Sequence, residues 1–108
     1  MISDPNRLIE TFKKMNADGF DTENYLKWGF YFLDGNKENL LNLFGELSPQ
    51  KYSLQDLSKM DDDLWQLHIT KVDILTLEAL HNRNLFFNQL AIQHNIQLYD
   101  GWDVERME

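Results

Sequence analysis

The stretch "LYDGWDVE", residues 98–105, decides the fold, because the chain closes on a strand only if these residues form one. Leu98, Trp102 and Val104 alternate as a half-buried strand requires. Asp100 falls on that same face, and Asp100-Gly101 is a turn dipeptide. A regular strand would bury the carboxylate at a cost on the order of several kcal/mol. A bulge at Asp100-Gly101 removes the conflict: two residues then oppose one, and the inside–outside register shifts. Tyr99, Trp102 and Val104 would face the same way, with Gly101 supplying a positive φ. Asp100 would bond to nearby backbone N–H groups. "YDGW" therefore reads first as an architectural device and only secondarily as a contact for a partner.

Working outward, "YLKWGFYFL" (25–33) places Leu26, Trp28, Phe30 and Phe32 on one face and Tyr25, Lys27, Gly29 and Tyr31 on the other. Its β propensity is high and both faces are aromatic, so it reads as a central strand with the fuller face against helices. Asp34-Gly35 then turns the chain. "SDPNRLIETFKKMNADG" before it reads as a helix. Ser3 or Asp4 caps it, Pro5 fits the first turn, Leu8, Phe12 and Met15 share a face, and Gly19 stops it. "NKENLLNLFGELSP" is a second helix, with Leu40, Phe44 and Leu47 as its stripe, Leu43 beside them and Pro49 at its end. "KYSLQDLSKM" is a weaker, more polar strand. "LWQLHITKV" alternates with Trp65, Leu67 and Ile69 on one face, and the acidic Asp61-Asp62-Asp63 lies between the two as the turn of a hairpin. "TLEALHNRNLFFNQLAIQHN" is the longest helix, with Thr76 as its cap and Leu80, Phe87, Leu90 and Ala91 as its stripe.

The order is one helix followed by β-α-β-β-α-β. Residues 1–108 are therefore expected to form one α+β domain, a ferredoxin-like sandwich with an antiparallel sheet and an extra N-terminal helix. Two helices would cover one sheet face. The other would be open, or covered by the first helix.

The chain has no cysteine, which excludes disulfides and thiolate metal sites. "MISDPNRLIE" lacks the basic start and apolar run of a signal peptide, and no window approaches a membrane span, so a cytoplasmic location without membrane association is expected. The net charge is −8, and residues 61–108 carry 9 acidic against 3 basic side chains. That balance argues against a nucleic-acid groove and suits either plain solubility or attraction to a basic protein surface. Asp61, Asp62, Asp63, Asp103 and Glu105 are the candidate acidic partner surface.

No catalytic, cofactor-binding or metal-binding constellation emerges. His81 and His94 point roughly 220° apart on their helix at about 100° per residue, so they do not share an ion. Asp61–Asp63 lacks the spacing and central glycine of a calcium loop. There is no nucleophile elbow or glycine-rich phosphate loop, and no serine is set beside a histidine by local spacing, although a triad assembled in three dimensions stays open. The aromatic strand offers a base-stacking platform in principle, but Lys27 is the only basic residue inside it.

"NQLAIQHNIQLYDGWDV" resembles the end of the bacterial regulator of ribonuclease activity B family, whose members close with a helix carrying "LA" and a short strand with "YDGW". Here those residues are Leu90-Ala91 and Tyr99-Asp100-Gly101-Trp102. The upstream layout is similar too: a helix ending at "DG", then an aromatic strand, then a helix. The resemblance implies a ferredoxin-like α+β fold and a non-enzymatic protein that binds an endoribonuclease of the ribonuclease E kind and modulates or inhibits it. The member for which the family is named carries a long acidic tail, whereas six residues follow Trp102 here. Two other readings stand beside it: an acidic immunity-type protein neutralising a nuclease toxin, and RNA binding through the sheet face. The oligomeric state is left open.

Overall fold

The computed structural model describes residues 1–107, without the side chain of Asp62. It is an α+β fold of a four-stranded antiparallel sheet and three α-helices. The elements are α1 (Pro5–Ala17), β1 (Leu26–Asp34), α2 (Lys37–Leu47), β2 (Ser53–Lys59), β3 (Trp65–Asp73), α3 (Leu77–Gln93) and β4 (Leu98–Glu105), with single 3-10 turns at Ser48–Gln50 and Asp61–Asp63. The strands lie in the order β2-β3-β1-β4.

Local chemistry fixes the helix ends. Asp4, rather than Ser3, caps α1 by accepting from the Asn6 N–H at 3.0 Å, with Pro5 in the first turn. Gly19 follows in the left-handed region at φ +93°. Asn36 caps α2, and Thr76 caps α3 by accepting from the Ala79 N–H at 3.0 Å. Asp34, buried at the end of β1, clasps the next turn: its carboxylate accepts from the Asn36 N–H, the Asn39 amide and the Gln97 N–H. One side chain thereby ties the β1–α2 turn to the entry of β4.

The fuller face of β1 carries the core. Trp28, Phe30 and Phe32 are fully buried. Phe87 of α3 meets Phe30 and Phe32 edge-on at 4.8 and 5.4 Å between ring centroids. Phe12 of α1 stacks on Trp28 at 6.3 Å, and Trp28 donates its indole N–H to the Asp73 carbonyl at 3.2 Å. Burying each such side chain contributes roughly 1.5–3 kcal/mol, and each aromatic pair adds about 0.5–1.5 kcal/mol. Leu8, Met15, Leu40, Leu43 and Leu80 complete the layer, so α1 joins α2 and α3 on this face instead of covering the other. In α2 the buried stripe is Leu40, Leu43 and Leu47, with Phe44 only half-buried; Phe44 and Leu43 exchange the places the spacing suggested.

In β4 the register against β1 shifts between Tyr31 and Phe32: Tyr99 opposes Phe32, Gly101 opposes Tyr31, and Asp100 has no partner. This is the bulge, with Gly101 at φ +114°. Tyr99 is buried against Phe32 at 5.0 Å, and Trp102 lies against Trp28 at 5.7 Å. Asp100 differs from expectation. Its carboxylate is exposed and bonds no backbone N–H among the described residues, because the bulge already turns it to water.

Candidate functional site

With all three helices on one side, the second face of the sheet is bare. Side chains alternate along strands, so this face receives Lys27, Gly29 and Tyr31 from β1, His68 from β3 and Asp103 from β4. The register sets them side by side: Tyr31 opposes His68, and Gly29 opposes Asp103.

Tyr31 donates its hydroxyl to Oδ2 of Asp103 at 2.6 Å, and its ring stacks on the His68 imidazole at 4.2 Å and 17°. His68 Nε2 lies 4.0 Å from Asp103 Oδ1 and, although buried, has no hydrogen-bond partner among the described residues. Gly29 makes the convergence possible. A Cβ there would stand 2.2 Å from Asp103 Oδ1 and 2.7 Å from His68 Nε2. Burial, then the hydrogen bond to Asp103 and the charges of Asp103 and Glu105, push the Tyr31 phenol up to about 12. The phenolate is thus withheld at neutral pH, which suits a hydrogen-bond donor and not a general base.

The "YDGW" residues divide. Tyr99 and Trp102 face the core, Gly101 is the hinge of the bulge beside Tyr31, and Asp100 points to solvent. The Tyr99 hydroxyl donates to Oδ1 of Asn84 at 2.6 Å, and the Asn84 amide donates to Ser3 Oγ, which lies 2.8 Å from His81 Nδ1. A serine and a histidine do therefore meet in space. Their further partners are Asn84 and Tyr99, and no carboxylate orients the imidazole among the described hydrogen bonds, so the chain of contacts pins the N-terminal segment and β4 to α3. Asn84 sits fully buried in the apolar stripe of α3.

The five acidic residues do not form one patch. Asp61 and Asp63 are exposed at the hairpin tip, where Asp63 pairs with Lys59 at 3.5 Å; the side chain of Asp62 lies outside the described residues. The tip adjoins the Asp34 end of β1, since Trp65 opposes Asp34. Glu105 opposes Lys27 at the other end. Those ends are about 23 Å apart along the strand at ~3.3 Å per residue. Asp103 and Glu105 belong with the bare face instead. Among the described residues no group of three His, Asp or Glu side chains could hold a metal ion, and no helix is long and apolar enough to cross a membrane.

The profile of the family described as Regulator of ribonuclease activity B (RraB) matches residues 7–104. The chain belongs to this family. No curated protein matches it. The RraB span takes in all three helices from Arg7 onward and all four strands up to Val104. Tyr31, His68 and Asp103 lie within it, as do Tyr99–Trp102. Membership makes the chain a regulator of ribonuclease activity.

Sequence reading placed Gly29 and Tyr31 on the second face of their strand and left His68 off the Trp65–Leu67–Ile69 face. It did not bring them together with Asp103. The signal that could have done so was the interior glycine of an otherwise bulky strand, which marks a close approach.

Proposed function

We propose that the chain is a non-catalytic, protein-binding regulator that restrains an endoribonuclease of the ribonuclease E kind, and with it RNA decay, in the cytoplasm. The carrying observation is the family match over residues 7–104. The strand order β2-β3-β1-β4, with helices in the β1–β2 and β3–β4 connections, supports a ferredoxin-like arrangement to which α1 is added. The bare sheet face favours a protein partner over RNA: Asp103, Glu105 and Asp56 face it against Lys27, and carboxylates repel phosphates. The same acidity supports the immunity-type reading as the second choice, because acidic surfaces speed encounter with basic nuclease clefts.

The test adds the purified chain to a ribonuclease E-type enzyme cleaving a labelled RNA. Slower cleavage is expected at saturating chain, together with capture of the enzyme. An unchanged rate and no capture above an acidic control protein of equal charge would end the proposal. Inhibition confined to a secreted nuclease toxin would transfer the role to immunity.

A further inference from the structure

A strand interior is a costly place for glycine, and one that is kept there usually makes room for something. At Gly29 the room is taken by two polar groups, the Asp103 carboxylate and the His68 imidazole, both too close for any Cβ. The carboxylate is pre-organised. Tyr31 holds Oδ2, Oδ1 makes no hydrogen bond among the described residues, and the side chain remains 47% exposed. Beside it lies a stacked Tyr31–His68 pair whose buried Nε2 has no partner among the described residues, where buried polar atoms ordinarily have one. Glu105 flanks the group on β4, and Asp56 opposes His68 from β2.

Resting on the reading of the chain as a protein-binding regulator, we infer that the bare sheet face is its partner surface and that it takes an arginine-bearing basic segment, one guanidinium entering at Asp103 alongside the Tyr31–His68 stack. The chemistry selects arginine. A guanidinium is planar, bonds a carboxylate with two parallel N–H groups and lies flat on aromatic rings. A lysine ammonium answers the charge but not the plane. The hairpin tip offers a carboxylate already paired with Lys59, and nothing beside the exposed Leu85, Phe86 and Ile92 of α3 names an occupant.

The experiment titrates the isotope-labelled full chain with octa-arginine, octa-lysine and octa-glutamate peptides, following backbone amides by NMR. Octa-arginine is expected to move Gly29, Tyr31, His68 and Asp103. Asp103→Asn should weaken it about tenfold, the loss of one charge-assisted pair. Tyr31→Phe, which keeps the ring and the charge, should weaken it about threefold by freeing the carboxylate. Asp61→Asn with Asp63→Asn should change it by less than about twofold. Shifts centred on residues 61–63 or on α3, octa-lysine binding as tightly as octa-arginine, or both face variants binding like wild type would each overturn the inference. The nuclease assay separates the two proposals. If wild type and Asp103→Asn slow cleavage equally, the surface is wrong and the regulator stands. If octa-arginine binds at Asp103 but cleavage is untouched, the regulator reading fails and the surface stands.

Discussion

Gly29→Ala should destabilise the protein, although the same change in an open strand would stabilise it. Replacing glycine inside a strand gains roughly 0.5–1 kcal/mol from the unfolded chain. Here the new methyl would stand 2.2 Å from Asp103 Oδ1, so the carboxylate must swing out and give up the 2.6 Å bond from Tyr31. Hydrogen bonds to charged groups contribute roughly 1.5–3 kcal/mol, and half exposure brings this one down to about 1. His68 Nε2, at 2.7 Å, retreats less easily, because its ring is stacked on Tyr31 and its side chain is only 17% exposed. Crowding of this kind costs about 1 kcal/mol or more. The net effect is a loss of roughly 1 kcal/mol. Asp103→Ala alone forfeits the same hydrogen bond, about 1 kcal/mol. In the double variant that bond is lost only once, so the two changes together should cost roughly 1 kcal/mol less than their sum. Urea unfolding of the four proteins measures this coupling. Additivity within about 0.5 kcal/mol, or a stabilised Gly29→Ala, would refute the idea that Gly29 makes room for the Asp103 carboxylate.

At the bulge, Gly101→Val places a β-branched residue at φ +114° and should cost roughly 1–3 kcal/mol, whereas Asp100→Ala at the exposed position should cost under about 0.5; equal urea midpoints would count against the bulge as the reason for the glycine. Tyr99→Phe leaves Oδ1 of buried Asn84 without its 2.6 Å donor and should cost about 1–3 kcal/mol, a loss that Tyr99→Phe combined with Asn84→Leu largely restores; a neutral single change would remove Asn84 from the polar network. Burial raises the phenols of Tyr31, Tyr52 and Tyr99, that of Tyr31 from 10.0 to about 12. A folded-state pKa above the unfolded one means the stabilisation is complete below pH 10 and is lost as pH rises through 12. Unfolding followed with tyrosinate absorbance should show stability falling across that window, and flat stability there would contradict the burial of these rings.

The layers of the fold were legible because they rest on local signals. Alternation in 26–32 named Trp28, Phe30 and Phe32 as the inner face, and the caps at Asp4 and Thr76 follow from side-chain oxygens one step before an apolar period. Asn84 was invisible for the opposite reason. A polar residue in an apolar helical stripe gives no warning of burial unless its partner is known, and that partner, Tyr99, comes from the next strand. The position of α1 was left open for the same cause: its stripe shows that it packs, and only the Phe12–Trp28 stack shows on which face.

The cluster on the bare face was hidden by register, and the register turns on Asp100. Leu98 opposes Leu33 and Tyr99 opposes Phe32; an unbroken ladder from there would set Trp102 against Gly29 and Asp103 against Trp28. That arrangement would expose an indole on the bare face and bury a carboxylate in the core, since a one-residue slip in a strand exchanges its two faces. The extra residue at Asp100 moves each partner by one, so Trp102 stands opposite Phe30 with its ring against Trp28, and Asp103 reaches the space left by Gly29. The motif and the cluster are therefore one construction. Asp100-Gly101 sets the count, Gly29 leaves the room, and Tyr31 holds what arrives. An unbroken ladder that kept Asp100 would lose the core contact of Trp102 and the carboxylate of the bare face together; the bulge itself was legible in "LYDGWDVE", but the meeting of Asp103 with Gly29 could not be read before the partner strand was known.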